Sequence, residues 1–196
     1  RRERVIHSFQ IEGWDEFPLR QWAENQWHAP VIVRNDAAAA GLGEALKGAG
    51  RGWSRVFYVT VGSGIGGGWI VNGRIDTGQG LGAAEIGHTW VQEPQSRRLL
   101  ELEQVCSGWS IGRRARMLAD PASKILALAG SVDAIDAMIV HEAAEQGDVV
   151  AQRLLQETAE TLGFALGNMA TLLHPELIVI GGGVSKMGAL LWNPLR

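Results

Sequence analysis

Short apolar runs rich in β-branched residues occur at three places along the chain, at 30–34, 55–61 and 177–180. Turn-forming residues follow the last two runs, and the pattern predicts three strands, the first and last of them buried. The run at 177–180 is wholly apolar and follows a long helical repeat, as in strands whose sheet is covered on both faces. We therefore expect an α/β fold with helices packed against a sheet.

Two segments have the composition or the periodicity of helices. Residues Ala37 to Lys47 are rich in alanine, a strong helix former, and Gly48 is expected to stop this helix. From about Asp148 to His174, leucine and alanine recur at three- and four-residue intervals. Pro175 is expected to end this second helix.

Weaker patterns fill the remaining segments. Asn72-Gly73 is a strong hairpin signal. The other predictions are a glycine turn at 62–68, strands at 69–71 and 74–75, loops at 78–82 and 93–98, a strand near 89–91, and helical patterns at 99–118 (interrupted near 107–108) and 131–146.

Composition and charge exclude several classes of function. The 196 residues are 46% hydrophobic and 20% charged, enough for one domain or two small lobes around a cleft. The net charge is −3 and the basic residues are scattered, so a nucleic-acid partner is not expected. Cys106 is the single cysteine, which excludes an internal disulfide framework and a multi-cysteine zinc site. Apolar runs stay well below about 18 residues, and we expect a cytoplasmic protein with no membrane segment.

Neither end of the sequence has the form of a natural terminus. It opens on Arg1 without a methionine and ends at Arg196 shortly after a glycine turn. We expect the chain to be a fragment of a longer protein.

The first candidate for chemistry is the glycine-rich turn after the strand at 55–61. Dense glycine lets successive backbone N–H groups converge on an oxyanion, and the Thr60 and Ser63 hydroxyls add donors. The candidate phosphate contacts are Thr60, Gly62, Ser63, Gly64 and Gly66. No Gly-Lys-Ser/Thr follows, so this is not a Walker loop, and a flexible hairpin turn remains an alternative.

The pair Asn35-Asp36 stands at the predicted start of the alanine-rich helix. It could be only a helix N-cap. A carboxylate at a helix N-terminus is also kept ionised by the helix dipole. In that state Asp36 could accept the proton of a sugar hydroxyl as the hydroxyl oxygen attacks phosphorus.

Further polar residues suggest a pocket for a polyol. Glu85 and His88 flank a tight turn, and Glu103 follows fifteen residues after His88. Carboxylates and an imidazole in one pocket commonly hold a polyol, although a lone histidine is more often structural. The glycines after the last strand (Gly181, Gly182 and Gly183) could form a simple turn or a flat surface for a nucleotide.

In this order, the motifs resemble the ROK family (repressors, open reading frames and kinases). The segment 31–44 around Asn35-Asp36 resembles the family's Asn-Asp-Ala-Asn-Ala-Ala-Ala block, whose aspartate is the catalytic base. The other matching blocks are 58–68 (second phosphate loop), Glu85-Ile86-Gly87-His88 (sugar-binding Glu and His), Leu102-Glu103 with Ser107-Gly108 (second sugar-binding glutamate) and 175–184 (adenosine-side motif).

The resemblance implies a fold and an activity. The fold would be the actin-like ATPase (ribonuclease H-like) fold of two-lobed sugar kinases. Asp36 would be the base, and Asn35, Glu85, His88 and Glu103 would hold a hexose. ATP with Mg²⁺ would donate the phosphate, as in a glucokinase, and the full-length protein would form a homo-oligomer.

The chain departs from the family pattern in two ways. Many members have a Cys-x-Cys-x4-Cys run after the histidine, which binds zinc with it, whereas residues 92–101 contain no cysteine. We therefore predict no zinc, with Leu99, Leu100 and Leu102 holding this loop by apolar packing. The family's first phosphate loop, Asp-x-Gly-Gly-Thr, is also absent.

The missing phosphate loop implies an incomplete N-terminal lobe. Residues 1–51 would be the end of that lobe, and residues 52–196 a C-terminal lobe lacking its last part. A fragment of this kind would be a poor catalyst or inactive. Two alternatives remain open: the sugar-sensing part of a ROK transcriptional repressor, and a polyphosphate-dependent glucokinase.

Overall fold

Helices and short strands alternate along the chain, and the computed structural model describes residues 12–79, 82–118 and 120–195. The strands are β1 (Arg55–Val61), β2 (Ile65–Val71), β3 (Arg74–Asp76), β4 (Trp90–Gln92), β5 (Leu99–Glu101) and β6 (Leu177–Gly181). The helices are α1 (Leu19–Trp27), α2 (Asp36–Lys47), α3 (Leu102–Cys106), α4 (Gly108–Leu118), α5 (Lys124–Ala129), α6 (Ala137–Glu145), α7 (Val149–Leu173) and α8 (Ala189–Leu195). Short 3-10 helices span Ile86–His88 and Val184–Lys186.

Four strands form the main sheet in the order β3-β2-β1-β6. Strand β1 pairs antiparallel with β2 and parallel with β6. The predicted hairpin between β2 and β3 is confirmed: Asn72 and Gly73 both have positive φ, 51° and 72°, as a two-residue turn requires. The remaining two strands, β4 and β5, form a separate antiparallel hairpin.

Helix α2 covers one face of the main sheet through a small apolar cluster. Side chains alternate between the two faces of β1, so Val56 and Tyr58 point towards α2 and join Ala45 and Ile70. Gly41 of α2 is required there, because a Cβ at this position would lie 2.8 Å from Cβ of Tyr58. This close packing holds the middle of α2 against the sheet.

The opposite face of the sheet is buried in the main hydrophobic core. Phe57 and Val59 of β1 point to this side and belong to the main core, which also contains side chains of α3, α4, α6 and α7. The predicted long helix is confirmed as α7, with the Asp148 carboxylate accepting from Val150 N and Ala151 N at its start. It ends at His174 in the left-handed conformation, directly before Pro175. No helix among the described residues is both long and apolar enough to cross a bilayer.

The predicted strand at 30–34 is wrong. These residues form no strand, and Ile32 is 76% exposed. An apolar β-branched run becomes a strand only where another strand pairs with it, and within the described ranges none does so here. The segment instead leads directly into α2.

Several other boundaries differ from expectation. The glycine turn is shorter than predicted, because Gly66, Gly67 and Gly68 already belong to β2. The helical pattern at 99–118 begins with a strand, β5, before α3 and α4, and Leu99 is 64% exposed instead of packing the loop. Leu100 and Leu102 do pack on the core. Helix α5 was not predicted from the sequence.

Strand β6 is present, but the prediction that it is fully buried is wrong. Within residues 12–79, 82–118 and 120–195 it is an edge strand of the main sheet, and all five of its residues are partly exposed. Continuous apolar sequence cannot distinguish a central strand from an edge strand whose faces are only partly covered, because the order of strands depends on the chain's long-range connections.

A buried ionic cluster anchors the β4–β5 hairpin to the core. Arg114 of α4 is 3% exposed, and its guanidinium donates to Glu157 Oε2 at 2.5 Å and to Thr158 Oγ1 at 3.3 Å, both on α7. Its Nε lies 3.8 Å from Oε1 of Glu93, at the start of the hairpin loop. Glu157 Oε2 also accepts from Gln95 Nε2 at 3.2 Å in the same loop.

Candidate active site

The start of α2 presents two polar side chains. Asn35 is the N-cap, since its Oδ1 accepts from Ala38 N at 2.9 Å, so the cap is the first residue of the predicted pair. Asp36 is the first residue of the helix, and its Oδ1 accepts from Ala37 N at 2.8 Å. The carboxylate is solvent-exposed and stands at the positive end of the helix dipole.

A hydrogen bond joins the start of α2 to the segment before β4. Asn35 Nδ2 donates to Glu85 Oε1 at 3.2 Å, across fifty positions of the sequence. Burial raises the pKa of Glu85, the charge of His88 lowers it, and Asp36 and Glu103 raise it further, with a net rise. Asp36, His88 and Glu103 therefore all lie near enough to Glu85 for their charges to act on its carboxyl group.

Glu103, on α3, binds the turn between β1 and β2. Its Oε2 accepts from Ile65 N at 2.7 Å. Gly64 leaves room for this carboxylate, because a Cβ there would stand 2.4 Å from the same oxygen. The glycine turn and the second candidate sugar-binding glutamate are thus in direct contact.

We expect Gly64→Ala to disturb the site more than the fold. The added methyl group would displace the end of a flexible side chain, so the melting temperature should change by only a few degrees. The displaced Glu103 should raise the KM for the sugar several-fold. Steady-state kinetics and thermal melting test this, with Gly43→Ala as control, because a Cβ at Gly43 on α2 has no neighbour within 4 Å.

The contrary result, a large loss of stability with an unchanged KM, would mean that the turn is not coupled to Glu103.

The two glycine turns lie side by side at one edge of the sheet. Thr60 of β1 is opposite Gly66 on one side and Gly181 on the other. Gly182 has φ 89°, and a Cβ there would lie 2.4 Å from Val61 O. Ligands of α/β folds bind at the carboxyl ends of the strands, and both turns stand at the carboxyl ends of the parallel strands β1 and β6.

The turn at 62–64 has the geometry of an anion cradle. It is closed by a bond of 2.9 Å from Gly62 N to Gly64 O, and Gly62 O accepts from Gly108 N at 2.7 Å. Among the described residues, no acceptor is bonded to the N–H groups of Ser63 or Gly64. A Cβ at Gly62 or Gly183 would meet no atom within 4 Å, which leaves open space above each turn. In this part of the chain, unbonded N–H groups and open space are the features that backbone anion sites share.

Gly66 is placed differently from expectation, because it lies in β2 and not in the turn. A Cβ at Gly66 would stand 2.8 Å from Ala37 Cβ, next to Asp36. The absence of a side chain at Gly66 lets the start of α2 lie close to the glycine turn at 62–64.

An apolar cavity of about 350 Å³ lies beside the candidate site, between the segment before β4 and α7. Its wall includes Glu85 and Thr89, but most of it is apolar side chains such as Phe57, Val91 and Met169. A polyol needs a dense set of polar partners, so the carboxylates of Asp36, Glu85 and Glu103 fit a sugar better than this cavity.

Sequence reasoning missed one polar contact of the site. His88 Nδ1 lies 3.3 Å from Oε2 of Glu101. Glu101 lies one residue before the matched Leu102-Glu103 motif and is not part of it. Only the pairing of Trp90 with Glu101 in the β4–β5 hairpin could have indicated that Glu101 lies near His88. Within the described ranges, no three or more histidine, cysteine, aspartate or glutamate side chains are grouped to hold a metal ion.

The fold corresponds to that of ROK sugar kinases, which have the actin-like ATPase fold. A ROK family glucokinase from Streptomyces griseus, solved in complex with glucose and AMPPNP, superimposes with a TM-score of 0.84 and 36% sequence identity. The comparison covers 100% of this chain and 65% of that structure. The ROK family model matches residues 1–196, and the chain belongs to this family.

The curated relatives of the chain include both a kinase and a repressor. A glucokinase from Halalkalibacterium halodurans is 38% identical over 98% of this chain and 60% of its own length. A xylose repressor from Caldicellulosiruptor bescii is 29% identical over 93% of this chain and 47% of its own length. The chain thus spans less than two thirds of the length of these relatives.

Proposed function

We propose that this chain is part of a hexose kinase that transfers the γ-phosphate of ATP to the primary hydroxyl of a sugar. The observation that carries the proposal is the hydrogen bond between Asn35 and Glu85. It joins the start of α2, which carries Asp36, to the segment that carries Glu85 and His88. Glu103 accepts from Ile65 N at the end of the glycine turn after β1. The greater similarity to glucokinase than to a repressor supports an enzyme.

Asp36 is the proposed general base. Its carboxylate accepts the proton of the sugar hydroxyl as the hydroxyl oxygen forms a bond to the γ-phosphorus, and the bond from that phosphorus to the bridging oxygen of ADP breaks. The bond from Ala37 N orients the other carboxylate oxygen, Oδ1, and leaves Oδ2 for the hydroxyl.

Asn35, Glu85, His88 and Glu103 are the proposed sugar ligands. Amide, imidazole and carboxylate groups offer both donors and acceptors to ring hydroxyls. Asn35 also caps α2, so it links the orientation of the sugar to that of the base. This link would hold the reacting hydroxyl near Asp36, in a mechanism that relies mainly on positioning.

The nucleotide would bind along the two glycine turns. Backbone N–H groups of Ser63 and Gly64 would donate to the transferred phosphate, with the Thr60 hydroxyl nearby. Gly181, Gly182 and Gly183 would face the adenosine. Mg²⁺ would be held chiefly by the phosphate oxygens and water, and it would neutralise charge on the transferred group.

The remaining assignments follow from this proposal. The division into a lobe ending at residue 51 and a lobe from residue 52 stays a prediction, as do the homo-oligomer and the absence of zinc. A kinase that uses ATP would act in the cytoplasm.

A phosphorylation screen of the full-length protein tests the proposal. Glucose, fructose, mannose and N-acetylated sugars would each be assayed with ATP and with polyphosphate as donors. We expect transfer from ATP to at least one hexose. If no sugar is phosphorylated but one binds, the repressor alternative is supported. If phosphate is transferred from polyphosphate but not from ATP, the alternative of a polyphosphate-dependent kinase is supported.

Replacing Glu103 by glutamine should raise the KM for the sugar about tenfold or more, the size expected for weakening a charge-assisted hydrogen bond. The Gln amide could still accept from Ile65 N, so the turn should keep its shape. Glu142→Gln on α6, an exposed glutamate of another helix, is the control. An unchanged KM in Glu103→Gln would place this residue outside the pocket.

A further inference from the structure

Glu101 occupies the N-cap position of α3 but does not cap that helix. N-cap side chains usually accept a backbone N–H of the first turn, whereas Glu101 makes no such bond. Its Oε2 instead lies 3.3 Å from His88 Nδ1. The carboxylate is therefore available to the imidazole.

The backbone around this contact is held on both sides. Trp90 pairs with Glu101 in the β4–β5 hairpin, and Leu102 N donates to Thr89 O at 2.8 Å. The Thr89 side chain donates in turn to Ile86 O at 2.7 Å, which closes the 3-10 turn that carries His88. The two residues thus face each other from fixed positions.

We propose that Glu101 is a positioning residue that fixes the tautomer and orientation of His88 for sugar binding. An ionised carboxylate can only accept hydrogen bonds, so the bond requires the proton on Nδ1. In the neutral imidazole Nε2 is then an acceptor, because the bond made by one ring nitrogen decides the state of the other. This Nε2 accepts a hydrogen bond from a sugar hydroxyl.

The same contact connects two of the proposed sugar ligands. Helix α3 begins directly after Glu101. Its Glu103 accepts a hydrogen bond from Ile65 N, next to the glycine turn at 62–64. Glu101 therefore connects the His88 imidazole to the helix that carries Glu103. The inference that His88 binds a sugar rests on the proposed function. The contact between Glu101 and His88 does not depend on that function.

The test uses Glu101→Leu, which removes the acceptor, and Glu101→Gln, which keeps an acceptor without the charge. Glu145→Leu is the control, because Glu145 forms another carboxylate–imidazole pair, 3.7 Å from His141 Nε2 on α6. The full-length protein is studied with glucose as the probe sugar, or with the best sugar of the screen.

The first readout is the tautomer of His88, from nitrogen-15 NMR of the neutral ring. His88→Asn identifies its resonances among those of the other histidines. We expect the Nδ1–H tautomer in the parent and in Glu101→Gln, and a shift to the Nε2–H tautomer in Glu101→Leu. The second readout is kinetics: Glu101→Leu should raise the sugar KM about three- to tenfold, the size of one lost hydrogen bond, with kcat changed less than about twofold.

The outcomes separate this inference from the proposed function. Glu101→Gln should recover most of the affinity, and Glu145→Leu should match the parent. An unchanged tautomer or an unchanged KM in Glu101→Leu would overturn the role of Glu101 while leaving a kinase intact. If the parent phosphorylates no sugar, the proposed function fails, and the NMR result with sugar binding still decides the role of Glu101.

Discussion

Asp36→Asn should lower kcat by about 100- to 10,000-fold, the range for removing a general base. Asparagine can still accept from Ala37 N through its amide oxygen, so the start of α2 should remain folded. The amide cannot take up the hydroxyl proton. The KM for the sugar should therefore change much less than kcat. Steady-state kinetics of the full-length protein with the best sugar from the screen provide the measurement.

Asp136→Asn is the matched control for this change. Asp136 also stands at a helix start, where its carboxylate accepts from Met138 N and Ile139 N of α6, away from the glycine turns. We expect this control to keep nearly full activity. A parent-like kcat in Asp36→Asn, with this control also active, would show that another group accepts the proton.

Arg114→Ala should lower the free energy of unfolding by about 3 kcal/mol or more, because removing one partner of a buried ionic cluster leaves charges without compensation. The exposed fractions of Arg114 and Glu93 are 3% and 7%, so water replaces little of the lost interaction. In a domain of this size, the melting temperature should fall by about 6–12 °C. Denaturant and thermal unfolding measure the effect.

Arg113→Ala provides a control one residue away on the same helix. The Arg113 guanidinium is exposed and donates to Gln104 O at 3.0 Å. We expect a loss within about 1 kcal/mol for this variant, as for most surface changes. Equal losses in the two variants would mean that burial of Arg114 does not matter to stability.

The effect of Arg114→Ala should also depend on pH. Burial raises the pKa of Glu93, but hydrogen bonds from Ser96 and Gln95 and the charge of Arg114 lower it by more, so the pKa lies below its ordinary 4.5. A carboxyl group whose pKa is lowered by folding stabilises the fold at pH values above its pKa in the unfolded chain. That stabilisation is lost as the pH falls through the pKa of the folded protein. The difference between parent and Arg114→Ala should therefore narrow below about pH 4.5.

Local features of the fold were predictable from the sequence. Helices α2 and α7, the strand β1 and the Asn72-Gly73 hairpin follow from propensity, periodicity and turn chemistry. The strand predicted at 30–34 failed because a strand requires a partner, and propensity alone does not provide one. The exposed edge position of β6 was missed for a related reason, since strand order is a long-range property.

The candidate site was predicted as a set of residue types, not as a geometry. The sequence could place Asp36 at a helix start, but the cap itself proved to be Asn35. It could not show that Gly64 is needed to accommodate Glu103, because the two are 39 positions apart. The roles of these residues in catalysis stay predictions until the variants are measured.

The sequence by itself determined the order of the motifs, the helix that begins at Asp36 and the glycine-rich ends of β1 and β6. These features depend on neighbours within a few positions, whose spacing sets local conformation. Only the tertiary structure decided that Asn35 binds Glu85, that Glu101 faces His88 and that Arg114 is buried between two glutamates. Such contacts join distant segments, and they form only where packing of the core brings those segments together.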